Sequence, residues 1–586
     1  MIMNILGIAA LYHDAACCIL KDGHLVAAAQ EERFTRIKHD PDMPYHAMQY
    51  CLREAGLTIA DIDMLAYYEI PRLKLSRQLY SGLPEVSNEI LRHLSPDAVE
   101  RQIAEKLGYD GPVQFVPHHL SHAASSFFYS GFKESAIFTV DGVGEWATTT
   151  YGTGIGKDID LFEEVHYPHS IGLLYSTITS YLGFSVNDGE YKVMGLAPYG
   201  NPRYMDCFRE LLMPGDGGQY QLNLPYFDFM NSRKMYAPGL CDLFQHAARL
   251  PESALEQFHK DVAKSLQVFL EEVLLEKVKY LHRKTGMENL CMAGGVALNC
   301  VANGRIQREG PFRELFVQPA ANDAGCALGA AAVAYVTATG RRPPEQRLAN
   351  ACLGPAFSDE EIRNSLRGLF MKARNFSNNP QQLTEKVATL LASGKVVGWF
   401  QGRMEFGPRA LGARSILADP RDPDMRNRIN AMVKKREGFR PFAPVVLEEK
   451  MQAHFDLNLP SPFMLQTCQV RSAIDLPAIT HVDGSARVQT VNEQTNPALT
   501  SLLKAFDRIT GCPILLNTSF NVRGEPIVCT PVDAILCFIQ TDIDCLVLGN
   551  YLFLREDNNL DAVAHIYGMY GHQHKEAISS QLYTFI

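Results

Sequence analysis

Short apolar runs broken by glycine or aspartate turns open the chain, and longer helical periodicities follow. Residues 4–10 are largely apolar and predict a buried strand, 17–21 a second and 25–29 a third, with Asp22-Gly23 as a tight hairpin between the last two. The same order returns downstream. Residues 137–140 predict a strand, Asp141-Gly142 a turn, 147–151 a second strand, and another hairpin falls near 154–156. We read this as an internal duplication. Helices are predicted over 44–55, from Pro117 onward, over 256–281 and over 325–339. Residues 290–299 read as strand, diglycine and helix start. Beyond a linker-like 340–344, a helix over 380–393, a strand over 396–400 and a buried strand over 513–521 begin a second pattern. Nothing periodic follows Glu556.

The length of 586 residues exceeds what one core supports and divides the chain into two domains, 1–345 and 346–586. A 46% apolar and 20% charged composition is that of an ordinary soluble globular protein. The net charge of -10 argues against a general nucleic-acid partner but allows a local basic pocket. The 14 cysteines include no C-x-x-C pair, which fits a reduced, cytoplasmic setting without a disulfide framework. The N-terminus does not read as a signal peptide, and no apolar run approaches the roughly 20 residues a membrane helix needs.

His118 and His122 lie one helical turn apart and share a face, an arrangement that suits a divalent metal as well as a buried or capping role. Asp141 falls at a predicted strand tip and Asp323 in Asn322-Asp323-Ala324-Gly325. Two histidines and two aspartates form a mixed nitrogen and oxygen set suited to iron, manganese or zinc. Gly294 and Gly295 between strand and helix permit close backbone approach of a nucleotide. Glu31, Glu32 and Arg36 read as a solvated charged face, whereas Lys38 beside His39 is placed to touch an anion. The glycine-rich 402–417 stretch carries Arg403, Arg409 and Arg414, and Lys434 to Arg440 add charge. Three arginines among glycines do not read as core, so this block predicts a pocket for a small anionic ligand.

Together these blocks resemble the O-carbamoyltransferases of antibiotic, toxin and nodulation-factor biosynthesis, the NodU/CmcH type. The resemblance runs from Gly7 to about Leu554. It rests on Tyr12-His13-Asp14, Glu31-Glu32-Arg33-Phe34, the His118-to-His122 pair, Glu190-Tyr191-Lys192-Val193-Met194-Gly195, Glu405 to Ser415 and Asn517 to Ile527. It implies an α/β chain. The N-terminal domain would have the duplicated actin-like ATPase fold of the tRNA threonylcarbamoylation enzyme, and the C-terminal domain would be YrdC-like, as in threonylcarbamoyl-adenylate synthase. It implies that carbamoyl phosphate and ATP, with Mg(II), give carbamoyl adenylate and pyrophosphate. The carbamoyl group then passes to a hydroxyl of a natural-product acceptor, releasing AMP. By the same resemblance Arg409, Lys434, Arg440, Arg487, Asn517 and Ser519 form the adenylate site, and Gly294, Gly295 and Asn299 contact nucleotide. His118, His122, Asp141 and Asp323 hold iron as Fe(II), His13 is the base, and Lys38 steadies the carbamoyl oxygen. The expected partners are these small molecules, with a homodimer as the candidate assembly and neither nucleic acid nor membrane. A small-molecule kinase of the actin-like fold is the alternative, and it leaves the arginine block unexplained. The hydrogenase-maturation carbamoyltransferases carry an acylphosphatase domain and paired C-x-x-C motifs, which are missing here.

Overall fold

The computed structural model describes residues 3–81, 95–230, 234–344, 347–367, 371–434, 437–560 and 563–564. The chain forms two compact units. Among the described residues, one holds 3–31 and 39–348, and the other holds Glu32–Lys38 and 349–564.

The first unit is built from two five-stranded sheets. Strands β1 (Asn4–Ala9), β2 (Ala16–Lys21), β3 (His24–Gln30), β4 (Met64–Tyr67) and β5 (Val113–Phe115) lie in the order β3-β2-β1-β4-β5. Strands β6 (Glu134–Val140), β7 (Ala147–Ile155) and β8 (Asp158–His166) begin the second sheet. After a small ribbon of β9 (Leu212–Pro214) and β10 (Tyr220–Leu222), β11 (Asn289–Ala293) and β12 (Glu314–Val317) complete it as β8-β7-β6-β11-β12. In each sheet the first three strands are antiparallel and the last two join in parallel. The topology is the same twice, as the two hairpins predicted. Parallel pairing needs crossover connections, and helices supply them. Most residues of β1, β2 and β6 are buried, which is why these strands read as apolar runs rather than alternating ones.

Two helices fix the centre of this unit, His118–Phe127 and the alanine-rich Asp323–Thr339. They touch where Gly329 lacks a side chain: a Cβ there would sit 1.7 Å from the Ser121 carbonyl oxygen. Gly7 plays the same part between β1 and the alanine-rich helix, for its Cβ would lie 2.1 Å from the Ala327 oxygen. Pro117, expected at the first helical position, is instead the cap residue with φ -52 and ψ 138, and His118 opens the helix.

The second unit is a mixed eight-stranded sheet. Its strands are β13 (Arg374–Asn375), β14 (Val397–Phe400), β15 (Arg414–Ala418), β16 (Ala443–Leu447), β19 (Gln489–Val491), β20 (Ile514–Ser519), β21 (Cys545–Leu548) and β22 (Tyr551–Leu554). β17 (Thr467–Gln469) and β18 (Ser485–Arg487) form a separate ribbon. The sheet order is β13-β22-β21-β14-β15-β20-β16-β19. Helices Pro380–Ala392 and Pro497–Thr510 bury leucine faces in its core.

Two expectations about charge fail. Glu31, Glu32 and Arg36 are not a solvated face. Glu31 is buried and accepts the His46 and Ala47 N–H groups at the start of the Tyr45–Ala55 helix. Glu32 is buried against Arg33, and Arg36 donates to the Pro526 and Ile527 carbonyls at 2.7 Å each. Arg414 does pack in a core. It is 0% exposed, its guanidinium lies 3.6 Å from the Phe400 ring centroid, and it donates to carbonyls of Pro355, Gln401, Gly402 and Ala413. A planar cation that spends its donors on carbonyls and its face on an aromatic ring can be buried.

Candidate metal centre and transfer site

The His118–Phe127 helix starts against the Glu145 carboxylate, which accepts the His118 N–H at 2.9 and 3.1 Å and the Ile70 N–H at 2.7 Å. Exposed N–H groups and the positive helix end favour an anion there. The first turn then carries His118 and His122 inward, their ring centroids 4.6 Å apart. Asp141 follows the last residue of β6. Asp323 is the first residue of the alanine-rich helix and is brought opposite by the contact at Gly329.

The four side chains converge. Asp141 Oδ2 lies 3.2 Å from His118 Nε2 and 3.3 Å from His122 Nε2, and Asp323 Oδ1 lies 3.9 and 3.7 Å from the same nitrogens. A tetrahedral ion with bonds of about 2.0–2.1 Å sets its ligands about 3.3 Å apart, so the separations match one shared ion. All four residues are buried, and Asp323 Oδ2 has no hydrogen-bond partner among the described residues. Two imidazole nitrogens and two carboxylates around one point fit a divalent metal.

Electrostatics agree with a site made for positive charge. Burial alone would lower the His118 imidazole, but Asp323 and Asp141 override it and carry it up to about 9. Burial would raise Asp141, yet hydrogen bonds from both imidazoles hold its carboxyl well below the usual range. Asp323 is pushed up by burial, against the pull of His13 and His118.

The diglycine turn attaches to this centre. The Gly295 N–H donates to Asp141 Oδ1 at 2.8 Å. Gly294 has φ +96, and a Cβ there would meet the Val140 oxygen at 2.2 Å, so glycine is needed for packing against β6. Asn299 caps the Cys300–Glu309 helix through Ala302 N–H and exchanges hydrogen bonds with Gln267. All three residues thus have partners within the fold itself.

His13 is half-buried, with Nδ1 3.0 Å from Asp14 Oδ2. Burial would lower its pKa, but Asp323 and Asp14 outweigh that and raise it. Lys38 is half-buried in a turn grouped with the second unit.

In the second unit Asn517 is the junction. Its side chain donates to Gln489 Oε1 at 2.7 Å and to the Ala410 carbonyl at 3.4 Å, and Gln489 donates to the Leu411 carbonyl at 2.8 Å. Arg409, Arg487 and Ser519 each lie within two residues of that junction in sequence, and Arg440 lies three before Ala443, which pairs with Asn517. Ser519 Oγ donates to Asn521 at 2.7 Å, and Arg440 lies 3.5 Å from Glu437. Buried Glu405 gathers the arginine loop by accepting N–H groups of Leu411, Ala413 and Arg414 at 2.7, 2.7 and 3.2 Å. The side chain of Lys434 lies outside the described residues.

Sequence reasoning missed Asp14, His39, Glu145 and Glu405 as site-building residues. Asp14 had a signal, because it directly follows His13. The others are fixed by contacts distant in sequence.

A first unit of two like five-stranded sheets carries the buried two-histidine, two-aspartate set, and an arginine-bearing α/β unit follows it in the chain. The chain belongs to the carbamoyltransferase family. The model of the carbamoyltransferase N-terminus matches residues 4–332, and that of the C-terminus matches 388–555. The nodulation protein NolNO of Sinorhizobium fredii is 41% identical, over 92% of this chain and 78% of its own length. Nodulation protein U of Rhizobium tropici is 31% identical, over 89% of this chain and 92% of its own. Among solved structures, T. kodakarensis HypF is 13% identical with a TM-score of 0.32, covering 58% of this chain and 48% of its own. The protein is therefore an enzyme of carbamoyl transfer. No described helix is long and apolar enough to cross a membrane.

Proposed function

We propose that the protein is an ATP-dependent O-carbamoyltransferase working in two half-reactions. In the second unit, read as YrdC-like, carbamoyl phosphate, water and ATP give carbamoyl adenylate, pyrophosphate and phosphate. Arg409, Lys434, Arg440 and Arg487 neutralise the phosphates as a carbamate oxygen attacks the α-phosphorus, with Asn517 and Ser519 orienting the nucleotide and Mg(II) accompanying ATP. In the first unit an acceptor hydroxyl attacks the carbamoyl carbon. His13 takes its proton, the bond to the AMP oxygen breaks, and AMP leaves. Gly294, Gly295 and Asn299 line the nucleotide. His118, His122, Asp141 and Asp323 would hold a divalent metal, read as Fe(II), which when bound supplies Lewis-acid polarisation. The acceptor is a hydroxylated natural product.

The observation carrying this reading is the convergence of the four metal-type donors inside the duplicated unit of a carbamoyltransferase. The test supplies carbamoyl phosphate, ATP and Mg(II) and follows pyrophosphate, then screens hydroxylated natural products for a mass gain of one carbamoyl group. ADP formation that does not need carbamoyl phosphate would instead favour the kinase alternative.

A further inference from the structure

Asp14 sits in the left-handed backbone region at φ 62, which non-glycine residues seldom adopt and Asp and Asn tolerate best. Its carboxylate is buried and both oxygens are used. Oδ2 meets His13 Nδ1 at 3.0 Å and accepts Asn322 Nδ2 at 2.7 Å, and Oδ1 meets His39 Nδ1 at 2.8 Å. Asn322 caps the alanine-rich helix whose first residue is Asp323. One carboxylate therefore joins the imidazole of His13, the imidazole of His39 and the residue before a metal-type ligand.

Resting on the reading of His13 as the base, we infer that Asp14 is its positioning residue, fixing the tautomer and tying the ring to the start of the Asp323–Thr339 helix. An ionised carboxylate only accepts hydrogen bonds, so the His13 nitrogen facing it carries the hydrogen. Nε2 is then left with its lone pair, and it is the nitrogen that takes the acceptor proton. His39 holds the second oxygen, so the carboxylate cannot rotate away. A histidine base oriented by a buried aspartate is a recurrent solution for proton removal from hydroxyls.

The test is Asp14→Asn, chosen because asparagine keeps the backbone conformation and nearly the same shape. Three measurements on the full chain decide it. With 15N-labelled histidine, the His13 signal, assigned by its absence in His13→Asn, should report an Nδ1–H tautomer in the wild type and lose that preference in the variant. With added carbamoyl adenylate and glycerol as probe alcohol, kcat should fall roughly 10²–10⁴-fold while KM for glycerol stays within about threefold. Pyrophosphate release and bound metal should not change. A wild-type tautomer and kcat in Asp14→Asn overturn the inference while leaving the base reading intact. Loss of bound metal overturns it too, because Asp14 would then serve the ligand helix rather than the base. Full transfer by His13→Asn overturns the base reading itself, and the positioning role with it.

Discussion

Replacing Gly329 by alanine tests how the candidate metal centre is assembled. The added Cβ would lie 1.7 Å from the Ser121 oxygen and 2.8 Å from the Ser125 nitrogen, both backbone atoms that cannot rotate aside. Ordinary contact begins at 3.4 Å, so the two helices must separate by about 1.7 Å (3.4 less 1.7) along that line. Asp323 lies on the same helix six residues earlier, about 9 Å along the axis. A rigid shift of that size would carry its Oδ1 from 3.7–3.9 Å to about 5 Å or more from the imidazoles. Metal sites tolerate only about ±0.2 Å in ligand distance. Overpacking of this kind costs about 1–3 kcal/mol. Gly329→Ala should therefore lose bound metal in elemental analysis after dialysis and destabilise the first unit in urea unfolding. Gly438→Ala, whose added Cβ meets nothing within 4 Å among the described residues, serves as the control. A Gly329→Ala protein that holds metal at wild-type stoichiometry and unfolds within about 0.5 kcal/mol of wild type would refute the close-approach argument.

His122→Ala should abolish bound metal and acceptor carbamoylation yet leave pyrophosphate release intact, read by elemental analysis and the two half-assays. Arg440→Ala should stop adenylate formation but still permit transfer from added carbamoyl adenylate, whereas His13→Asn should do the reverse; loss of the same half-reaction in both would break the two-site division. Arg414→Met should destabilise the second unit by several kcal/mol, roughly 1–3 for each buried carbonyl left without a donor, measured by urea unfolding. For Asp14, burial would raise the carboxyl, but His39 and His13 hold it well below its usual range. Its contribution to stability is thus present above about pH 4, its unfolded value, and fades as pH falls further. Unfolding measured between pH 3 and 6 should show wild type and Asp14→Asn converging only at the acid end.

The strands of the first unit and their repetition were legible in the sequence because local signals specify them: apolar runs for buried strands, Asp-Gly for hairpins, helical spacing for the His118/His122 pair. That spacing places both imidazoles on one face whatever else folds around them. The residues opposite were named as candidates, but their meeting was decided by tertiary structure. Asp323 reaches the histidines because Gly329 lets two helices touch, and nothing near either residue encodes that contact. Charge was misread for the same reason. Glu31 and Arg36 look solvated and Arg414 looks like a lining of an anion pocket in a one-dimensional pattern, because burial of a charge depends on partners: the helix start at Ala47, the carbonyls at 526–527, the ring of Phe400. Local propensity and periodicity determine elements, whereas paired charges and backbone approaches between distant segments determine where a buried polar group is tolerated and therefore where a site forms.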